Sequence, residues 1–125
     1  MLASAALVAF VPAADLDRSD DFYGGVLGLE RVESSGFANV YDANGTMLRV
    51  TRVENPMRTP YTVLGWTVKD IAAAARDLAA QGVWLKRFQG MDQDAAGIWT
   101  APGGSRIAWF EDPDGNILSL QQPPG

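Results

Sequence analysis

The chain has 125 residues, enough for one domain, with 47% hydrophobic and 20% charged residues, the balance of a folded globular protein. Lys plus Arg is 10 and Asp plus Glu is 15, a formal charge of −5, and without a basic run this argues against nucleic acid as a partner. There is no Cys and no His, so no disulfide, zinc–thiolate site, thiol nucleophile or histidine-dependent triad can be assembled.

The run Ala5 to Ala14 is apolar but too short to span a bilayer. No Lys or Arg precedes it, so it reads as a buried first strand rather than a secretory signal or a membrane anchor. A cysteine-free composition suits a cytoplasmic location. Asp15-Leu16 then opens a helical stretch that closes at Gly28-Leu29-Glu30-Arg31-Val32. Asp15 is a good N-cap, because its carboxylate accepts from the free N–H groups of the first turn. Gly28 sits where the chain needs a left-handed exit. Leu16, Phe22, Tyr23, Val26 and Leu27 form the apolar stripe between them. Two strands follow around Asp42-Ala43-Asn44-Gly45, a tight-turn sequence.

The same order then repeats. A strand-like run from Val63 to Val68 leads to Asp70-Ile71, a helical stripe of Ile71, Ala74, Ala75 and Leu78, and an exit at Gly82. A second turn, Asp112-Pro113-Asp114-Gly115, precedes the alternating strand Asn116-Ile117-Leu118-Ser119-Leu120. Each half reads strand–helix–strand–strand–strand, and the segment Asn55 to Pro60, with its two prolines, is the natural connector. The expected fold is α+β: two βαβββ modules, residues 1–55 and 61–125, joined by 56–60 into a single domain. One face of each short sheet is covered by its helix. Edge-to-edge pairing of the modules would give a curved, half-open barrel-like sheet with a central cleft.

These residues resemble the vicinal oxygen chelate superfamily, which includes glyoxalase I, extradiol dioxygenases, fosfomycin resistance enzymes and bleomycin resistance proteins. The resemblance is carried by Asp15-Leu16-Asp17-Arg18-Ser19 with Phe22-Tyr23 and Val26-Leu27-Gly28-Leu29, by Val68-Lys69-Asp70-Ile71 with its Ala-rich helix, and by Phe110-Glu111-Asp112-Pro113-Asp114-Gly115-Asn116. It covers nearly the whole chain and implies a homodimer. It implies fold more strongly than activity, because the superfamily hosts many chemistries. Metal-dependent members carry His and Glu ligands on four strands, and the resemblance maps those positions onto Val8, Arg49, Val63 and Ser119. Aliphatic side chains cannot coordinate a metal and a guanidinium repels one. No metal and no cofactor is therefore expected.

Strand alternation places Phe10, Met47, Thr51, Tyr61, Gly65, Thr67, Ile117 and Gln121 on the face shared with those four positions. The two turns are expected to pair Val40 with Met47 and Ala38 with Arg49, then Phe110 with Ile117 and Ala108 with Ser119. The result is an apolar groove with aromatic walls and one positive charge, the usual make-up of a small-molecule pocket. Its expected ligand-binding residues are Arg49, Phe10, Met47, Tyr61, Phe110, Ser119 and Trp99. Arg49 reads either as an anchor for a carboxylate, phosphate or enolate, or as a structural ion pair with Glu111 or a loop Asp. Ser119 has no His or Cys to activate it as a nucleophile. Trp66 falls on the helix side, whereas Trp99 and Trp109 could wall the groove. Phe88 to Gly97 reads as a surface loop with few anchors, a lid being the alternative. The acidic cluster Asp15, Asp17, Asp20 and Asp21 lacks the central Gly and distant Glu of a calcium loop and suits a helix N-terminus better.

Three functions fit these residues. The first is metal-free binding or sequestration of a small molecule. The second is a metal-free isomerase or lyase acting near a carbonyl, with Arg49 on the oxyanion. The third is a non-catalytic interaction or regulatory subunit.

Overall fold

A computed structural model describes residues 1–125. The chain divides within the Asn55–Pro60 connector into two compact units, Met1–Arg58 and Thr59–Gly125. In the first unit β1 (Val8–Ala13) leads to α1 (Leu16–Asp20), a π-helical turn over Asp21–Val26, then β2 (Glu30–Ser34), β3 (Ala38–Ala43) and β4 (Thr46–Arg52). The second unit repeats the plan with β5 (Thr62–Thr67), α2 (Ile71–Ala80), β6 (Trp99–Thr100), β7 (Arg106–Glu111) and β8 (Ile117–Gln122). Each unit forms a four-stranded mixed sheet, ordered β1-β4-β3-β2 in one and β5-β8-β7-β6 in the other. The first strand of each lies parallel to the last. Neither sheet is closed into a barrel. No helix is long and apolar enough to cross a membrane.

Both helices start as their caps dictate. The Asp15 carboxylate accepts from the N–H groups of Asp17 and Arg18 at 2.9 and 3.1 Å, and that of Asp70 accepts from Ala73 at 3.0 Å. The exits at Gly28 and Gly82 have φ of 72° and 80°, the left-handed conformation that favours glycine. The first helix departs from a regular α-helix. The Leu27 N–H reaches back five residues to the Phe22 carbonyl at 2.8 Å, which widens the turn. Gly24 lies in this turn, and a Cβ there would come within 2.9 Å of Asp20 Oδ1. That same oxygen accepts from the Tyr41 hydroxyl at 2.7 Å, while Asp20 Oδ2 pairs with Arg31 at 3.2 Å.

The core of the first unit is built from Val11, Phe22, Tyr23, Tyr41, Leu48 and Val50, all buried. The Phe22 and Tyr23 rings meet edge to face at 5.2 Å. The first strand is buried on one face only: Val11 and Ala13 point into the core, but Phe10 is 63% exposed. The strand is thus half-buried, as a strand covered by a helix on one side must be.

The two hairpins differ in a way that decides which residues face the core. Asn44 and Gly45 both have positive φ, 54° and 97°, a two-residue turn. It pairs Val40 with Arg49 and Ala38 with Thr51, two positions along from the expected pairs. Because side chains alternate with a period of two, this shift leaves every face unchanged. In the second hairpin the Asp112 carbonyl accepts from Gly115 at 3.0 Å and the Asp112 N–H bonds the Asn116 carbonyl at 3.1 Å. Pro113-Asp114-Gly115 is therefore a three-residue loop, with Gly115 at φ 80°. The extra residue pairs Trp109 with Ser119, Phe110 with Leu118 and Ala108 with Leu120. This one-residue slip moves Phe110 and Ala108 off the expected groove face into the core, where both are 0% exposed.

Tyr41 is fully buried, and burial, followed by the hydrogen bond to Asp20 and the charge of that carboxylate, raises its pKa well above the ordinary 10.0. The unfolded chain thus releases this proton near pH 10 while the folded chain keeps it, so stability falls as pH rises above about 10, by up to roughly 1.4 kcal/mol per pH unit. In urea unfolding followed from pH 8 to 11, Tyr41→Phe is expected to remove that alkaline slope. A slope equal to that of the parent protein would show that Tyr41 ionises freely when folded.

An aromatic depression as the candidate functional site

The face of the second sheet turned away from α2 carries the side chains alternate to Phe110, namely Trp109 on β7 and Ser119 on β8. The Trp109 ring meets Phe88 edge to face, with centroids 5.3 Å apart and planes at 84°. On its other side Trp99 packs at 6.3 Å with planes tilted by 33°. Such offset and edge-on arrangements match the ring quadrupoles. Beside this cluster lies a depression of about 300 Å³ lined by Pro60, Tyr61, Thr62, Phe88, Met91, Trp109 and Ile117. Tyr61 is 62% exposed at its rim. Every side chain there is apolar or neutral.

Charge next to the depression is compensated. Lys86 Nζ contacts Glu111 Oε1 at 2.5 Å. The Lys86 N–H also donates to the Trp109 carbonyl at 2.7 Å, which ties the chain beyond α2 to β7. Ser119 lies directly opposite Gly65, and a Cβ on residue 65 would come within 2.6 Å of the Ser119 hydroxyl oxygen. A side chain at residue 65 would thus force the Ser119 hydroxyl to move. At Val63 the pairing of β5 with β8 shifts by one residue, so Thr62, rather than Tyr61 or Val63, is aligned with Ile117.

On the first unit, Phe10 is aligned with Arg49 and Val8 with Met47 across β1 and β4. Arg49 pairs with Glu33 at 3.9 Å, the two side chains being 37% and 61% exposed. A pair this long and this solvated contributes at most about 1 kcal/mol, so it holds the guanidinium only weakly. The structure therefore gathers Phe10, Met47 and Arg49 on one sheet face, and Tyr61 and Ser119 with Trp99, through Trp109, on another. Phe110 joins neither. Phe88 and Met91 were missed as wall residues because their loop has no periodicity to read. The Asp94-Ala95-Ala96-Gly97 run was the available signal for an ordered turn there.

No group of three or more His, Cys, Asp or Glu side chains is placed to hold an ion.

Comparison with known proteins agrees with this architecture. The family model described as Glyoxalase/Bleomycin resistance protein/Dioxygenase superfamily matches residues 5–120, and the chain belongs to that superfamily. Among solved structures, SMU.1112c is similar with a TM-score of 0.77 and 20% identity, over 95% of this chain and 98% of that one. A lactoylglutathione lyase from Agrobacterium tumefaciens gives 0.73 and 21%, over 95% and 93%. The fosfomycin resistance protein FosX from Listeria monocytogenes gives 0.72 and 16%, again over 95% and 93%. At these identities the likeness is one of fold. No curated protein sequence matches the chain.

Trp109 is the hub of the cluster, in ring contact with both Phe88 and Trp99. Trp109→Ala is expected to cost about 2 kcal/mol in urea unfolding, less than a fully buried tryptophan because the residue is half-buried. It should also remove most of the near-ultraviolet circular dichroism of the coupled rings. A change below about 0.5 kcal/mol, within the range of surface substitutions, would show that the rings do not pack as a unit.

Proposed function

We propose that this protein is a metal-free member of the glyoxalase/bleomycin resistance/dioxygenase superfamily that binds a small planar molecule without transforming it. The observation that carries the proposal is the neutral depression beside Trp109, lined by Tyr61, Phe88 and Met91. A concave apolar site with few polar groups is the usual form of a small-molecule pocket. Catalysis lacks support from the same residues: the one lysine near the depression is paired with Glu111, and no imidazole or thiol exists in the chain. The metal-free part of the proposal rests on Val8, Arg49, Val63 and Ser119 at the positions the family resemblance assigns to metal ligands, and on the lack of a carboxylate cluster elsewhere.

Arg49 has a separate role within this reading. Its long, solvated pair with Glu33 leaves the planar fork of donors free to take a carboxylate or phosphate. A homodimer is part of the same proposal. It is supported by β2 and β6 standing at the edges of their sheets, since exposed strand edges require cover.

Three experiments test the reading. Purified protein titrated calorimetrically with nickel, zinc, manganese and ferrous iron is expected to show no stoichiometric binding. Tight binding near one ion per chain would overturn the metal-free assignment. Tryptophan fluorescence titrated with 1-naphthol, 1-naphthoate and 1-naphthylmethylammonium separates neutral, anionic and cationic planar probes. Saturable quenching by 1-naphthol is expected, weakened at least tenfold, about 1.4 kcal/mol, by Trp109→Leu. No saturable response to any of the three would sink the binding role. Arg49→Ala is expected to abolish any calorimetric binding of 1-naphthoate and leave the fold intact. Unchanged affinity would remove Arg49 as an anion anchor.

A further inference from the structure

Between α2 and β6 the chain runs from Gln81 to Ile98 without a regular element. A connection of this length carries a large conformational entropy when nothing fixes it, yet it supplies Phe88 and Met91 to the wall of the depression. The Gln93 side chain spans it. Gln93 Oε1 accepts from the Phe88 N–H at 2.8 Å, and Gln93 Nε2 donates to the Lys86 carbonyl at 2.9 Å and to the Gly97 carbonyl at 2.8 Å. Two donors and one acceptor are used at once, so the amide has only one orientation that satisfies all three.

The three bonds join both ends of the loop. Next to them the Asp94 carboxylate accepts from the N–H groups of Ala96, Gly97 and Ile98 at 2.9, 3.0 and 2.9 Å. Gly97 adopts φ 103°, and a Cβ there would stand 2.9 Å from Leu85 Cβ, so the returning strand of the loop lies tight against the outgoing one. Inside this frame Met91 donates to the Phe88 carbonyl at 3.2 Å and Gln93 to the Met91 carbonyl at 3.0 Å. Phe88 is thereby set edge-on to Trp109 at 5.3 Å. The anchors that the sequence did not reveal are thus Gln93 and Asp94, and they make residues 86–98 a tied frame.

We propose that Gln93 is the positioning residue of the aromatic depression: it does not line the site, but its amide sets where Phe88 and Met91 stand against Trp109. This inference rests on the reading of that depression as a binding site. Its consequence is a wall organised before ligand arrives, which spares the binding step the cost of ordering the loop.

The test compares Gln93→Ala, Gln93→Glu and Arg87→Ala with the parent protein. Arg87→Ala is the control, because that guanidinium donates to the Asp94 and Ala95 carbonyls at 2.8 and 2.5 Å and makes no hydrogen bond to the Phe88 backbone. Three quantities are read: near-ultraviolet circular dichroism, 1-naphthol affinity, and hydrogen exchange at the Phe88 amide. Gln93→Ala is expected to lose most of the aromatic dichroism, bind 1-naphthol at least tenfold more weakly and exchange the Phe88 amide at least a hundredfold faster. Arg87→Ala should leave the dichroism and the affinity within twofold of the parent. Parent-like dichroism and exchange in Gln93→Ala would overturn the proposal. If the parent binds no 1-naphthol, the pocket reading fails, and the dichroism and exchange still decide the role of Gln93. If Gln93→Ala does not fold, Gln93→Glu decides. It keeps the acceptor for Phe88 but lacks both donors, so loss of the aromatic signature supports positioning and a parent-like signature overturns it.

Discussion

A sheet has two faces and a side-chain period of two, so the number of residues in a turn decides which side chains a strand buries. In the second unit that number is three, Pro113-Asp114-Gly115, held by the Asp112 carboxylate. Its Oδ1 accepts from the Asp114 and Asn116 N–H groups at 2.9 Å each, and its Oδ2 from the Asn116 side chain at 2.7 Å. Asp112 is 6% exposed, so these bonds also keep a buried carboxylate satisfied. Everything on β7 follows from this loop. Phe110 and Ala108 complete the core, and Trp109 is turned out to face Phe88 and Trp99. Had the loop held two residues, the tryptophan would lie under the helix and the phenylalanine on the open face.

The first unit solves a similar problem differently. There the buried polar group is Tyr41, whose hydroxyl reaches Asp20 across a helix widened by one π-turn and stripped of a side chain at Gly24. The widened turn and the Asp20–Arg31 pair belong to one arrangement. The hydrogen bond to Asp20 keeps the buried Tyr41 hydroxyl satisfied in the interior. The two units share an order of elements and a sheet topology, yet they differ in helix type, turn length and the length of their second strand. A duplicated plan thus leaves each half free to acquire its own polar network.

The superfamily assignment constrains chemistry less than the side chains do. The chain has no His, and no group of three or more carboxylates gathers to hold an ion, while the aromatic face of the second unit offers stacking surface. Stacking on tryptophan and edge contacts with phenylalanine select for planar shape and depend little on charge. This agrees with the mutual neutralisation of Lys86 and Glu111 beside the depression.

Much of the fold was legible in the chain. Asp15 and Asp70 before apolar stripes, Gly28 and Gly82 after them, and two turn sequences in matching order were enough to place both βαβββ modules, because caps and glycine exits act through bonds within a few residues. Phe10, Met47 and Arg49 also fell on one face as alternation required, since the error in the first hairpin was an even number. The candidate site was legible only in part. Tyr61 lies at the rim of the depression and Trp99 packs behind it on Trp109, but Phe110 falls on the other face by a single residue of loop length. Phe88 and Met91 were invisible because a side chain at 93 holds them, through bonds to carbonyls and an amide up to seven residues away. Local chemistry written in the sequence determined which segments are helix, strand and turn. Register and the tied loop were decided only in the folded chain, where a buried donor or acceptor must find its partner whatever the distance along the sequence.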